Sequence, residues 1–243
     1  MSLTPFVQVA AALDALAVGD AVPLSTDERH HLRRVLRLPD GAAVEVADGR
    51  GTHAAAELHE TTLRVTGEVR TTPVARPELW VAQALPKGRR ADEVIRQVTE
   101  LGADGVAVVA AQRSVARLNG DRAIRARGRW EAVARAACEQ ARRPRRPVIL
   151  GPLPAAELPT LAGTLLVAHP GAPPLPTVLG AVTSDERVTI AIGPEGGWAD
   201  AELTALETSG AHLVGLGPTV LRTEHAAAAA LAVVAAGVGR WGR

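Results

Sequence analysis

The stretch GPEGG at residues 193–197 places three glycines, a rigid proline and one carboxylate within a single turn. The apolar, β-branched run before it, residues 188–192, predicts a buried parallel strand, and residues 200–206 predict a helix with acidic residues in its first turn. Because glycine has no Cβ atom, a ligand can lie directly against the backbone of such a turn. The turn therefore predicts a close-fitting ligand, and the alternative is a tight connection between strand and helix.

A second glycine-proline turn, LGPTVLRTE at residues 216–224, also lies between a short apolar run and a helix. Parallel strands of an open α/β sheet end at one edge, so the two turns are expected to face each other across a cleft at this edge. The first turn matches neither GxGxxG nor GxxxxGK[ST], which argues against a pyrophosphate ligand. The lining suits an uncharged ring with a polar tail, being apolar at Leu216, Val220 and Leu221 and polar at Arg222, Thr223 and Glu224.

The composition is that of a soluble protein with one large or two small domains in 243 residues. The net charge is +1, and the longest apolar stretch is alanine-rich and too short to span a bilayer. The N-terminus has no basic region before its apolar residues, so no secretory signal is indicated. The single cysteine, Cys138, excludes an internal disulfide and a cysteine-based metal cluster. We therefore expect a cytoplasmic protein.

Basic residues are clustered along the chain, and 26 of the 27 are arginines. Residues 122–146 hold nine arginines against two acids, and further clusters occupy residues 29–37 and 87–90. Arginine can make bidentate contacts with phosphates, so these clusters predict binding to a polyanion. Solvated helix faces are the alternative for any one cluster. The candidates for RNA contact are Arg33, Arg34, Arg37, Lys87, Arg89, Arg113, Arg142 and Arg143.

The elements that would position these residues fall into two domains. A capping-box pattern at residues 25–28 predicts a short helix through Leu36, and alternating residues around the turn at residues 48–49 predict antiparallel strands. Pro73 and Pro77 then interrupt the pattern as a linker. From residue 77 onwards, strands alternate with helices, which predicts an α/β domain with a mostly parallel sheet. We thus expect a small β-rich domain over residues 1–72 and an α/β domain over residues 77–243.

The elements expected in the second domain can be stated individually. Helices are predicted at residues 91–101, at residues 121–142, from residue 200 to Gly210, and in the alanine-rich C-terminal segment. The first of these has an apolar stripe on one face, formed by Val94, Ile95, Val98 and Leu101. Strands are predicted in the segments ELWVAQAL, GVAVVAA, TLLVAH, VTIAIG and HLVGLG.

Several motifs together resemble the RsmE family of SPOUT methyltransferases. IGPEGGWADAEL and LGPTVLRTEHAAAAAL are similar to its paired signature, and HHLRRVLRLPDGAAVEVADGRG is similar to its PUA-like N-terminal domain. PKGRRADEVIRQVTELGAD, AQRSVAR and RWEAVARAACEQARRPRRPVI resemble further motifs of the family, in the same order along the chain. The resemblance extends over nearly the whole chain.

The resemblance implies a methyltransferase that acts on N3 of uridine 1498 in bacterial 16S rRNA. It also implies a C-terminal domain tied in a deep trefoil knot, S-adenosylmethionine bound inside this knot, and a homodimer as the working enzyme. In related proteins the loop that begins at His169 helps to hold the cofactor, although a histidine packed at a strand end is the alternative here. The expected cofactor-binding residues are His169, Gly171, Ile192, Gly193, Pro194, Glu195, Gly196, Gly197, Leu216, Gly217, Leu221, Arg222, Thr223 and Ala226.

The sequence departs from the family pattern at three places. No arginine precedes Phe6, Gln112 stands where an acid is usual, and residues 90–91 differ from those of many members. The first departure puts a role for an N-terminal arginine in doubt, whereas both cofactor loops are intact. Since the chain has no tyrosine and only five aromatic residues, arginine side chains would have to stack against RNA bases.

Methyl transfer to uridine N3 first requires removal of the proton on this nitrogen. The pKa of the N3–H group lies roughly two units above neutral pH, so its deprotonation at pH 7 costs about 3 kcal/mol. A base that accepts the proton, or a cation beside the uracil oxygens, can offset this free-energy cost. Arg222 and Glu224 are the candidates in the second turn. Glu195 is the third catalytic candidate, with a structural or cofactor-contact role as its alternative. A metal is not required, and His30 and His31 could bind one only with strand geometry and a third ligand.

Two other classes of function stay open. One is a methyltransferase of the same fold that acts on another rRNA or tRNA position, for example a ribose 2′-oxygen, because the fold does not select the acceptor. The other is an rRNA-binding module without catalytic activity, against which the intact glycine loops argue.

Overall fold

A computed structural model describes residues 4–161, 163–180 and 186–242. The chain forms two compact units: unit 1 comprises Met1–Val74 with Arg135–Arg146, and unit 2 comprises Ala75–Ala134 with Pro147–Arg243. The first change of unit lies inside the proline-containing linker. The assignment of Arg135–Arg146 to unit 1 has no counterpart in the domains that we expected from the sequence.

Unit 1 is built on a mainly antiparallel sheet with strand order β1-β3-β4-β5-β2, and β6 pairs with β4. Only the β1–β3 pairing is parallel. In β4, every second residue is buried, as expected for a strand with one face on the core. The strands are β1 (Phe6–Gln8), β2 (Ala21–Pro23), β3 (Ala43–Ala47), β4 (Thr52–His59), β5 (Thr62–Val65) and β6 (Arg70–Thr71).

The predicted capping box is present at the start of α1 (Thr26–His30). The Ser25 hydroxyl accepts a hydrogen bond from the Glu28 N–H, and the Glu28 carboxylate accepts one from the Ser25 N–H at 2.8 Å. Burial opposes ionisation of Glu28, but hydrogen bonds from Ser25 and Ala10 outweigh burial and hold the pKa of Glu28 below its usual value. The helix continues as a π-helical turn, His31–Val35, close to the predicted end at Leu36.

Unit 2 contains a six-stranded sheet with order β12-β10-β11-β7-β8-β9, in which every neighbouring pair is parallel. Its strands are β7 (Glu78–Ala84), β8 (Gly105–Ala110), β9 (Val148–Pro154), β10 (Thr164–Ala168), β11 (Arg187–Ile192) and β12 (His212–Val214). Its helices are α2 (Arg90–Glu100), α4 (Leu175–Leu179), α5 (Asp200–Thr208) and α6 (Thr223–Gly237), with a 3₁₀ segment Ala155–Leu161, and α3 (Asp121–Gln140) has its first part in this unit.

Hydrophobic clusters cover both faces of this sheet. On one face, Val94, Ile95 and Val98 of α2 are buried with the inner side of α6, which confirms the apolar stripe predicted for α2. On the other face, Trp80 and Trp198 pack in a second cluster. The mixed α/β class with a β-rich N-terminal part is therefore confirmed, whereas the knot stays a prediction.

The sequence did not lead us to expect β9, the 3₁₀ segment or α4. Pro152 and Pro154 within β9 argue against a central strand, but β9 lies at the edge of the sheet, where a missing N–H donor is tolerated.

Burial raises the pKa of the Cys138 thiol to about 11, so this cysteine is not a reactive nucleophile at neutral pH. No helix in the described part of the chain is long and apolar enough to cross a membrane.

Candidate active site

Three loops meet at the carboxyl edge of the unit 2 sheet. Strand β10 lies between β12 and β11, and all three run in the same direction. The loops that follow β10, β11 and β12 therefore lie side by side, and they contain His169, residues 193–197 and residues 216–222. As predicted, the two glycine-proline turns share this edge, and the loop after β10 lies on the strand between them.

The glycines of the first turn differ in backbone conformation and in the space that surrounding atoms leave for a side chain. Gly197 has φ +69°, and its N–H donates a hydrogen bond of 2.8 Å to the Pro194 carbonyl oxygen. A Cβ atom on Gly193 would lie 3.1 Å from Trp198 Nε1, which is a crowded contact. At Gly196, the nearest atom would be Arg113 Cβ at 3.6 Å, an ordinary contact. The protein itself thus has room for a side chain at Gly196, and the bare backbone there is available to a ligand.

Arg113 braces this turn. Its Nη1 donates hydrogen bonds to the Trp198 carbonyl oxygen at 3.0 Å and to the Gly196 carbonyl oxygen at 3.4 Å, and its Nη2 lies 3.2 Å from Asp200 Oδ1. We assigned Arg113 to RNA contact from the sequence. The structure gives its guanidinium these partners within unit 2, and they point to support of the loop.

A buried hydrogen-bond chain ties the two glycine-proline turns together. The Thr223 hydroxyl donates to the Gly193 carbonyl oxygen at 3.0 Å and accepts from Gln83 Nε2 at 2.8 Å. Both side chains belong to buried residues. Gln83 was not among the site residues expected from the sequence, although a glutamine inside the apolar segment LWVAQAL was a signal for it.

The two candidate carboxylates share one arginine. Arg90 Nη1 lies 3.5 Å from Glu195 Oε1, and Arg90 Nε lies 3.9 Å from Glu224 Oε1. Glu195 also accepts a hydrogen bond of 3.3 Å from the Lys87 backbone N–H. Glu224 is only 12% exposed, and its Oε2 has no hydrogen-bond partner among the described residues. Arg90 is a site residue that the sequence analysis missed.

Arg222 precedes α6 and occupies its N-cap position. Its carbonyl oxygen accepts hydrogen bonds from the N–H groups of His225 and Ala226, both at 2.9 Å. Its side chain is exposed and forms no ion pair within residues 186–242 or the other described ranges. Arg222 therefore does not pair with Glu195 or Glu224 within the described residues, and the structure gives both carboxylates to Arg90.

The loop after β10 passes close to β12. The His169 N–H donates to the Val214 carbonyl oxygen at 3.0 Å, and the Gly215 N–H donates to the Pro173 carbonyl oxygen at 2.7 Å. A Cβ atom on Gly215 would lie 2.5 Å from the Ala172 carbonyl oxygen, so this crossing requires glycine. An open cavity of about 550 Å³ lies beside this loop and is lined by residues that include His169, Gly171, His212 and Leu213.

The remaining expected cofactor residues line the same strand ends. Ile192 closes β11 and is buried, and Ala226 is buried in the first turn of α6. Leu216 and Leu221 are partly buried against the core, and Gly217 has φ +114° with no atom within 4 Å of an added Cβ.

Some of the residues predicted to contact RNA already have partners within the protein, and others are exposed and form no ion pair in the described ranges. In unit 1, Arg33 donates to the Leu38 carbonyl oxygen and pairs with Asp40, and Arg142 pairs with Glu45 and lies 5.6 Å from the Phe6 ring centroid. Arg143 is held through its backbone, since its carbonyl oxygen accepts a hydrogen bond from the Gln8 side chain. By contrast, four of these candidates are exposed and form no ion pair in the described ranges: Arg34 and Arg37 in unit 1, and Lys87 and Arg89 in unit 2.

The three loops suit a ligand with an uncharged ring and a polar tail. Bare backbone at Gly196 and Gly217 leaves space for a flat group, and the buried Trp198 Nε1 and Glu224 Oε2 lack hydrogen-bond partners in the part of the chain described. These are one unused donor and one unused acceptor at the strand ends. Within the same described residues, no group of three or more His, Cys, Asp or Glu side chains could hold a metal ion.

Comparisons with known proteins agree with this architecture. A family model described as an RNA methyltransferase domain matches residues 74–235, and one described as an RNA methyltransferase PUA domain matches residues 24–66. A protein of Mycobacterium tuberculosis called ribosomal RNA small subunit methyltransferase E is 37% identical over 235 residues, covering 92% of this chain and 89% of that protein. A Synechocystis protein of the same name is 32% identical, covering 88% of this chain and 72% of that protein.

Solved structures give the same result. A ribosomal RNA small subunit methyltransferase E of Neisseria gonorrhoeae, bound to S-adenosyl methionine, superposes with a TM-score of 0.83 at 26% identity and covers 96% of this chain and 98% of its own. A methyltransferase of Legionella pneumophila in complex with the same cofactor has a TM-score of 0.83 at 25% identity, covering 97% of this chain and 98% of its own. The chain therefore belongs to the RNA methyltransferase family, in the group of ribosomal RNA small subunit methyltransferase E, as its motifs predicted.

Proposed function

We propose that this enzyme transfers a methyl group from S-adenosylmethionine to N3 of uridine 1498 in 16S rRNA. The observation that carries the proposal is the Thr223–Gly193 hydrogen bond, which joins the GPEGG and LRTE turns into one site at the ends of parallel strands. An S-adenosylmethionine-dependent rRNA methyltransferase is what the family membership supports. The atom and the nucleotide that receive the methyl group are the finer part of the proposal.

The cofactor would lie against the bare backbone of the two turns and the loop after β10. When bound, S-adenosylmethionine supplies a methyl group on a sulfonium, so that the group leaving in the displacement is neutral. The protein therefore has mainly to orient donor and acceptor. The residues proposed to hold the cofactor are His169, Gly171, Ile192, Gly193, Pro194, Glu195, Gly196, Gly197, Leu216, Gly217, Leu221, Arg222, Thr223 and Ala226.

Glu224 and Arg222 are proposed to prepare the acceptor. Glu224 Oε2 has an unused lone pair in a largely buried side chain, which suits it to accept the proton of uridine N3. Arg222 is exposed at the start of α6 and has no ion-pair partner within the described ranges, so its guanidinium is available to the uracil oxygens as negative charge develops. Glu195 is held by Arg90 and the Lys87 N–H, so we propose that it contributes mainly by shaping the turn.

RNA binding is proposed to involve both units. Residues 1–72 would form the PUA-like RNA-binding domain, and residues 77–243 the methyltransferase domain with its trefoil knot. Exposed cations without ion-pair partners in the described ranges are present in each, with Arg34 and Arg37 in the first and Lys87 and Arg89 in the second. Such side chains can neutralise phosphates without first breaking an ion pair.

The working enzyme is proposed to be a homodimer in the cytoplasm that acts on rRNA within the small ribosomal subunit, without a metal. Val233 on α6 is 39% exposed, and Trp241, which follows α6 in the chain, is 54% exposed. These apolar side chains are suited to contact a second copy of the chain. Light scattering of the purified protein tests the dimer, and a monomer at all concentrations would contradict it.

The proposed activity is tested with purified protein in two steps. Calorimetry with S-adenosylmethionine measures cofactor binding, and a binding module without activity would bind RNA but no cofactor. Transfer of labelled methyl groups is then measured with free 16S rRNA, isolated small subunits and tRNA. We expect incorporation into the small subunit and its rRNA, and incorporation into tRNA alone would contradict the proposal.

A further inference from the structure

Helix α2 begins with a cation, where a helix is least suited to hold one. Arg90 is its first residue, and the helix macrodipole disfavours positive charge at the N-terminus. Asp92 and Glu93, in the same turn, carry the favourable sign. Arg90 therefore does not stabilise its own helix by its charge, and the reason for its position lies in the groups that it contacts.

The contacts of Arg90 join the two cofactor turns. Its guanidinium lies 3.5 Å from Glu195 in the first turn and 3.9 Å from Glu224, which follows the second turn. Among the described residues, no other cation lies within ion-pair distance of either carboxylate. A largely buried carboxylate such as Glu224 depends on a nearby cation, because removal of the partner leaves its charge uncompensated.

The Arg90 contacts complement the Thr223–Gly193 hydrogen bond. That bond fixes the backbone of the two turns relative to each other, whereas Arg90 acts on their carboxylates. Arg90 Nε lies at ion-pair distance, 3.9 Å, from Oε1 of Glu224. Oε2 of the same carboxylate is buried and has no hydrogen-bond partner among the described residues, so it is the oxygen left for a further partner.

We infer that Arg90 is a positioning residue for methyl transfer, which holds Glu224 so that Oε2 faces the acceptor uridine. This inference rests on the proposed function. In this role Arg90 acts through Glu224 and not by its own contact with the uracil or the cofactor. Its removal should therefore lower the rate of the chemical step and leave RNA binding almost unchanged, because a small misplacement of a catalytic group is enough to slow a reaction by about a hundredfold.

The experiment compares Arg90→Ala, Arg90→Lys and Arg96→Ala by kcat and KM for small-subunit rRNA. Arg96 is a matched control, since it lies on the same helix, is equally exposed at 46%, and pairs with Glu93 and Glu100 away from the turns. We expect Arg90→Ala to lower kcat by about tenfold to a hundredfold, with KM for RNA within about twofold of the parent. Arg90→Lys should recover most of the loss, and Arg96→Ala should retain the parent kcat.

A double-mutant cycle makes the test independent of stability. If Arg90 acts through Glu224, Arg90→Ala should add little to the loss caused by Glu224→Gln. Losses that multiply, a raised KM for RNA with unchanged kcat, or full activity of Arg90→Ala would each overturn the inference. Arg90→Gln replaces the alanine variant if the latter does not fold. Absence of N3-methyluridine with the parent enzyme would instead contradict the proposed function.

Discussion

The Thr223 hydroxyl donates a 3.0 Å hydrogen bond to the Gly193 carbonyl oxygen and thereby links two turns that are 30 residues apart in sequence. Because Gln83 Nε2 also donates to this hydroxyl, Thr223 satisfies two buried polar groups at once. A change that removes the hydroxyl leaves both groups without this partner.

We predict that Thr223→Val weakens S-adenosylmethionine binding by about tenfold and lowers the free energy of unfolding by about 1–3 kcal/mol, the usual cost of unsatisfied buried polar groups. Thr223→Ser keeps the hydroxyl and should show less than half of each effect. Calorimetry and urea unfolding measure the two quantities. Equal cofactor affinity in the valine variant and the parent would show that the link does not shape the site.

The backbone at Gly196 provides a second prediction. An added Cβ there has room within the protein, so Gly196→Val should fold normally while its branched side chain occupies the space of the cofactor. We expect cofactor affinity to fall by more than about tenfold, which corresponds to at least about 1.4 kcal/mol. Gly128→Val in α3, where nothing lies within 4 Å of an added Cβ, is the control. Unchanged affinity in the Gly196 variant would exclude this turn as the cofactor site.

Arg222 is among the residues proposed to hold the cofactor, but its side chain should act mainly on the reaction. Arg222→Ala is predicted to lower the single-turnover methylation rate by about a hundredfold or more, as is typical when one electrostatic donor is lost. Its side chain has no ion pair in the described ranges, so cofactor affinity should change much less. If rate and affinity instead fell in parallel, Arg222 would have the bracing role that the structure assigns to Arg90.

Arg34 and Arg37 should contribute to RNA affinity through phosphate contacts. Each neutralised phosphate of a single strand contributes about −0.7 to the slope of log K against log salt, so Arg34→Ala with Arg37→Ala should reduce the slope by about 1.4. Arg33→Ala should change the slope less, because Arg33 is paired with Asp40 and bonded to Leu38. Arg64→Ala, an exposed change on β5, is the control. An unchanged slope in the double variant would remove these arginines from the RNA-binding surface.

Local sequence signals predicted much of the fold. Ser25 and Glu28 predicted a capping box, and the alternation of apolar and polar residues predicted β3 and β4. The spacing of apolar residues predicted the buried face of α2. The edge strand β9 was missed because its prolines resemble a loop, and only the pairing with β8 shows that it is a strand. Local patterns do not report such tertiary pairing.

The sequence predicted the loops of the candidate site but not the side-chain contacts that join them. The glycine-proline turns and Glu224 are visible as motifs, whereas Gln83 and Arg90 become site residues only through contacts with residues more than 100 positions away. Arg113 was predicted from the sequence to contact RNA, and that contact stays a prediction, while the structure adds loop carbonyls as partners of its side chain. Charge alone does not distinguish a free arginine from an engaged one.

The identity of the methylated nucleoside decides which atom of the RNA this enzyme modifies. Small subunits from a strain that lacks this enzyme are incubated with the purified protein and labelled S-adenosylmethionine, and their rRNA is digested to nucleosides and separated by mass spectrometry. The account predicts one labelled product, N3-methyluridine, which maps to position 1498 and is strongly reduced with Arg222→Ala. A label on ribose, on C5 of uracil or on another base would contradict it.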